Sequence, residues 1–132
     1  MVKELWLNLP CKDVLQTKKF FEALGFTFMD RFDAQSPMQG TKIGDTNVMF
    51  CSEELFKSFS GVTNIDYGNE TMISFDAQSP EEVDAFAKNA EAAGGKVFGK
   101  PGWNQGWMYG CGFTDIDGHR WNVLHMDMSK MK

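Results

Sequence analysis

The chain has 132 residues, 42% of them hydrophobic and 14% aromatic, enough for one compact core and too few for two large domains. Thirteen Lys and Arg against 18 Asp and Glu leave a net charge of −5, with the acids scattered rather than massed in a tail, so nucleic-acid binding by counterion release is not expected. No apolar run approaches the roughly 20 residues of a membrane helix, and the N-terminus lacks the apolar region and cleavage site of a signal peptide, so the expectation is a cytoplasmic protein without a membrane partner.

Residues 5–9 alternate as a strand up to Pro10. Asp13 then caps a helix whose apolar stripe is Val14, Thr17, Phe20, Phe21 and Leu24, and Gly25 ends it. Residues 26–32 alternate as a second strand, 38–43 read as a third and 47–51 as a fourth. Residues 52–69 form a connector with a short helix at 53–59, loosened by Gly61 and Gly68.

The same order then repeats. Residues 71–75 read as a strand. Ser79 is the N-cap of a helix with Pro80 at its first position and Glu82 completing a capping box. Its stripe is Val83, Phe86, Ala87, Ala90 and Ala93, stopped by Gly94 and Gly95. A strand begins at 96–98, a glycine-interrupted strand covers 107–113, and the Asp117-Gly118 turn leads into a strand at 120–124. Residues 126–132 carry no pattern and are expected to fray.

The chain therefore reads as a single domain of two tandem βαβββ units, at about 1–60 and 68–128. A helix with one apolar stripe covers one face of a sheet. The expected fold is α+β, with a curved, mostly antiparallel sheet around a concave cleft, helices on the convex side, and a small-molecule ligand in the cleft. Cys11, Cys51 and Cys111 are far apart and odd in number, and read as reduced thiols rather than a disulfide framework or a zinc site. Twelve Phe, four Trp and nine Met stand against two His; such side chains chiefly fill cores and also suit an adaptable pocket.

Residues 7–13 and 19–26, together with the run Phe113-Thr-Asp-Ile-Asp-Gly-His-Arg-Trp-Asn122, resemble the vicinal oxygen chelate superfamily of glyoxalases, bleomycin- and fosfomycin-resistance proteins and extradiol dioxygenases. Trp107, Gly110, Gly112 and the Asp-Gly-His-Arg-Trp run are similar to its 3-demethylubiquinone methyltransferase-like branch, although no glycine loop for S-adenosylmethionine follows the first strand. The resemblance implies a divalent metal held by His, Glu or Gln, one from the first and one from the last strand of each unit. Those positions fall on Trp6, Phe50, Met72 and Asn122, with Met49 or Cys51 as alternatives to Phe50 where strand register is open. None of the four is a carboxylate or an imidazole, so the expectation is a pocket with no metal and no cofactor.

The resemblance further implies a homodimer in which Trp6 and Phe50 face Met72 and Asn122 of the partner chain. Asn8 and Ser74, two residues from Trp6 and Met72, share the inner face of their strands. The glycine-rich stretch 99–107 reads equally as a mobile lid or a plain loop, with Trp107 alternatively opening the next strand. Asp115, Asp117 and His119 read as a turn bonded to its own backbone rather than a metal or acid–base cluster. His125 falls on the face opposite Asn122, and neither Cys51 nor Cys111 has an activating cation beside it. The expected function is binding of a small, partly aromatic molecule, either as sequestration or with a reaction that needs no Lewis acid. The alternative is a metal-dependent lyase or dioxygenase with non-standard ligands, such as His119 or an acid near Glu53.

Overall fold

In a computed structural model that describes residues 1–67 and 70–131, the Asp13 carboxylate accepts a hydrogen bond from Gln16 N at 3.1 Å and opens helix α1 (Val14–Ala23). Thr17, Phe20 and Phe21 are its buried face, and Gly25, at φ 101°, turns the chain away after it. Strands β1 (Trp6–Cys11), β2 (Met38–Ile43) and β3 (Thr46–Ser52) form a three-stranded sheet in the order β1-β3-β2. β1 runs parallel to β3, and β2 runs antiparallel to it. Helix α2 (Glu53–Ser60) follows directly, capped by Ser52 and closed by Gly61 at φ 78°.

The strand expected at 26–32 is reduced to one bridge, Phe28 to Thr41. Met29 N donates to Gly40 O at 2.8 Å, and the Thr41 hydroxyl donates to Thr27 O at 2.7 Å. Beyond Met29 the Asp33 region takes over: its carboxylate accepts from Gln35 N at 2.9 Å, and its carbonyl accepts from the Gln39 side chain at 2.7 Å. These local bonds curl the backbone into turns before a ladder can extend.

In the second half, β4 (Met72–Asp76), β5 (Lys96–Asn104), β6 (Met108–Thr114) and β7 (Arg120–Met126) form a four-stranded sheet in the order β4-β7-β6-β5. β4 is parallel to β7 and the other pairs are antiparallel. Helix α3 (Pro80–Ala92) begins as expected, with Ser79 Oγ accepting from Glu82 N at 3.1 Å and Pro80 in the first turn. Val83, Ala87 and Ala90 are buried, and Phe86 meets Phe75 edge-on at 5.1 Å.

The C-terminus is more ordered than its pattern suggests. β7 runs to Met126, and Asp127 caps a short 3₁₀ turn, Met128–Lys130. The chain forms two compact units, Met1–Asp66 and Tyr67–Lys132. The class is α+β, with three α-helices and two sheets among the described residues. Gly68 and Asn69 of the expected connector, and Lys132, lie outside the described residues.

Candidate functional site

In the first unit, the register Trp6↔Asn47 and Asn8↔Met49 puts these four side chains on one face of the sheet. Trp6, Asn8, Met38 and Met49, with Arg31 and Phe32 from the turn after α1 and Phe59 from α2, line an open pocket of about 540 Å³. Gly40 makes room for one wall. A Cβ there would fall 2.6 Å from Sδ and Cε of Met49, so the missing side chain lets that thioether lie flat on β2. The guanidinium of Arg31 stands 5.9 Å from the Trp6 ring centroid and 5.4 Å from that of Phe32.

Phe50, expected on this face, points the other way. It is fully buried and stacks on Phe21 of α1, ring centroids 4.8 Å apart, as a core residue. Its neighbour Met49 is the one that reaches the pocket. Successive residues of a strand alternate faces, and α1 claims the face that carries Val48 and Phe50. Cys51 is wholly buried, its carbonyl accepting a contact from Cys11 Sγ at 3.4 Å.

In the second unit, the register Ser74↔Asn122 and Gly112↔Asn122 carries the shared face across three strands. Ser74 Oγ donates to Asn122 Oδ1 at 3.1 Å, and Asn122 Nδ2 donates to Cys111 O at 3.3 Å, which fixes the amide. Asn122 lines a pocket of about 300 Å³ with Phe98, Lys100, Trp103, Asn104 and Leu124 around a glycine floor. Gly112 is part of that floor because the Phe98 ring rests on it: a Cβ would come 2.5 Å from Phe98 Cε1. Arg120 in turn sits 4.9 Å over the same ring.

Met72 shares the face of Ser74 and Asn122 but is 54% exposed and outside this pocket. Trp107 is in the tight turn between β5 and β6, where Gln105 and Gly106 take φ 56° and 79°, and it too is outside the lining, whereas Trp103 is part of it. Residues 99–104 are neither lid nor loop. They belong to β5 and pair with β6, with register shifts between Val97 and Gly99 and between Gly99 and Gly102 that absorb the glycines.

Asp115, 3% exposed, is the hub of the β6–β7 turn. Its carboxylate accepts from Asp117 N, His119 N and Trp121 Nε1 at 2.9–3.0 Å, and meets His119 Nδ1 at 2.9 Å. Asp115, Asp117 and His119 are the one trio of close His, Cys, Asp or Glu side chains among the described residues, and they lie outside both pockets. The geometry is that of a self-bonded turn under a buried tryptophan. His125 Nδ1 pairs with Ala77 O at 3.2 Å, away from Asn122. Burial, and secondarily Asp84, pushes the Cys111 thiol up to about 11, so it stays protonated at neutral pH. Burial raises Cys51 as well.

The pocket residues missed in the sequence include Arg31, Phe32, Met38 and Phe59 in the first unit, and Phe98, Lys100, Trp103, Asn104, Met108 and Leu124 in the second. Met38 follows from the pairing Met38↔Cys51 once the parity of β3 is known. Arg31 and Phe59 come from a turn and a helix, whose side-chain directions no strand alternation encodes.

A parallel βα-to-last-strand pair in each half, with a ligand-sized pocket on the face opposite the helix, defines a protein of the glyoxalase kind. The chain belongs to the Glyoxalase/Bleomycin resistance protein/Dioxygenase superfamily, whose sequence model matches residues 5–123. It is similar to the hypothetical protein SA1046 of S. aureus, at 35% identity and TM-score 0.83, covering 95% of this chain and 94% of that one. A family enzyme from Burkholderia phytofirmans shares the fold at 18% identity and TM-score 0.81, covering 92% and 97%. So does the fosfomycin resistance protein FosX of Listeria monocytogenes, at 19% identity and TM-score 0.73, with both chains covered in full. No curated protein matches the sequence.

Proposed function

We propose that this member of the superfamily binds a small, partly aromatic molecule without a divalent metal, acting by sequestration or through a reaction that needs no Lewis acid. The observation that carries the reading is the chemistry of the pockets around Trp6 and around Asn122: neither lining contains an aspartate, glutamate or histidine, and the pocket beside α2 offers a single acid, Glu54, among Pro37, Ser52, Leu55 and Ser58. The donors of the first two are amides, thioethers, an ammonium, a guanidinium and a thiol held protonated. Such a set does not fit a hard divalent ion, which takes anionic oxygen or imidazole nitrogen in preference to water. Rings and thioethers instead offer polarizable surface to a flat ligand.

Trp6, Asn8 and Asn122 are the ligand-facing residues in this reading, with Met49 in the place first given to Phe50 and Ser74, outside the linings, holding the Asn122 amide. Met72 and Trp107 lie beside these groups rather than among them. Trp107, Gly110, Gly112 and residues 117–121 support placing the chain near the 3-demethylubiquinone methyltransferase-like branch. Two copies are proposed to pair as a homodimer.

Elemental analysis of protein purified without chelator tests the metal-free reading: Ni, Zn, Mn and Fe are expected well below one per chain, and stoichiometric metal retained would overturn it. Turnover of a hemithioacetal or catechol on adding divalent metal, abolished by His119→Ala, would establish the metal-dependent alternative instead. Native mass spectrometry of the protein from its own cells is expected to show a bound small molecule.

A further inference from the structure

Six of the seven residues that line the first unit's pocket are uncharged, and the seventh is Arg31. Its guanidinium lies 5.9 Å from the Trp6 ring centroid and 5.4 Å from that of Phe32, and Nη2 donates to the Met29 thioether at 3.4 Å. A thioether is a weak acceptor, which leaves most of the five N–H donors of the fork without a strong partner. Among the described residues no carboxylate lies within ion-pair distance of it. Nearby Asp33 is engaged with the backbone of Gln35 instead. The side-chain amide of Asn8, on the same pocket, has no protein partner among the described residues either.

A chain of net charge −5 thus presents one cation, and no anion, to an apolar pocket. We propose that Arg31 makes this pocket selective for flat apolar organic anions, carboxylates above all. The inference rests on the reading of the chain as a binder of partly aromatic molecules, and adds the charge of the ligand and the residue that selects it. The planar fork matches a carboxylate with two parallel hydrogen bonds, which a lysine cannot do. Arg31 is exposed, so its fork is open to an arriving anion as well as to water. Trp6, Phe32 and Met49 supply the surface on which the apolar body of the ligand lies.

The test compares two nearly isosteric probes, 2-naphthoate and neutral 2-naphthamide, titrated into the full chain and followed by backbone and indole NMR shifts. The naphthoate is expected to bind at least about tenfold more tightly, with shifts centred on Trp6 and a preference that weakens as salt rises from about 20 to about 500 mM. Arg31→Gln is expected to bring the two affinities within about twofold, chiefly by weakening the naphthoate, and Arg31→Lys to fall between. Equal binding of both probes to the wild type overturns the anion selectivity and leaves aromatic binding standing. A preference that survives Arg31→Gln, or shifts centred on Trp103 beside Lys100, overturns the assignment to Arg31. No shift with either probe overturns the aromatic-binding reading and this one with it.

Discussion

A Cβ on Gly110 would sit 2.8 Å from the carbonyl oxygen of Val123 and 2.7 Å from Leu124 Cδ2. The carbonyl belongs to the backbone of β7 and has little freedom to retreat, so Gly110→Ala is expected to cost about 1–3 kcal/mol, read as a fall in the denaturant midpoint. Gly40 differs because its nearest neighbours are the flexible end of Met49. Gly40→Ala is expected to cost under about 1 kcal/mol and to push that thioether into the pocket, visible as a shifted Met49 methyl resonance. At Cys111 the folded thiol is held above its ordinary value, chiefly by burial, at about 11. The stability this gives is complete below about pH 9 and is lost as pH rises toward the folded value. Cys111→Ala should flatten the alkaline limb of a stability–pH curve, and the native thiol should react with a disulfide reagent only slowly at pH 8.

At the scale of elements, α3 is set by Ser79, whose hydroxyl accepts from Glu82 N. Ser79→Ala is expected to cost about 1 kcal/mol, and Ser79→Asp to restore it, by thermal melting. The β6–β7 turn depends more heavily on one side chain. Asp115 gathers two backbone N–H groups, the Trp121 indole and the His119 ring. Removing it strands several buried donors at once, so Asp115→Ala is expected to cost about 2–4 kcal/mol or prevent folding, measured by urea unfolding. Helices α1 and α3 and most strands were legible because their signals are local: a cap, a stripe at helical spacing, a glycine stop. The face of β3 was not. Residues 47–51 are buried on both faces, so alternation is absent and the choice between Met49 and Phe50 could not be made from the pattern. Residues 99–104 read as a loop on their glycines and proline, whereas the partner strand β6 gives their backbone a ladder.

At the scale of the whole molecule, the proposed homodimer is checked by light scattering at micromolar concentration, where twice the chain mass is expected and a strictly monomeric mass would count against it. Among the described residues, no helix is long and apolar enough to cross a membrane. Most of the order of elements, the helix caps, the Asp115-to-His119 turn and membership of the superfamily were determined by the sequence itself, because each depends on residues near one another in the chain. Only the tertiary structure decided which side chains of β3 meet the pocket, that 26–32 ends in turns rather than a full strand, and that Arg31 joins Trp6. Those outcomes depend on competition among distant groups for one face: Phe21 takes Phe50, Gly40 admits Met49, and Arg31 stands near rings from two separate segments.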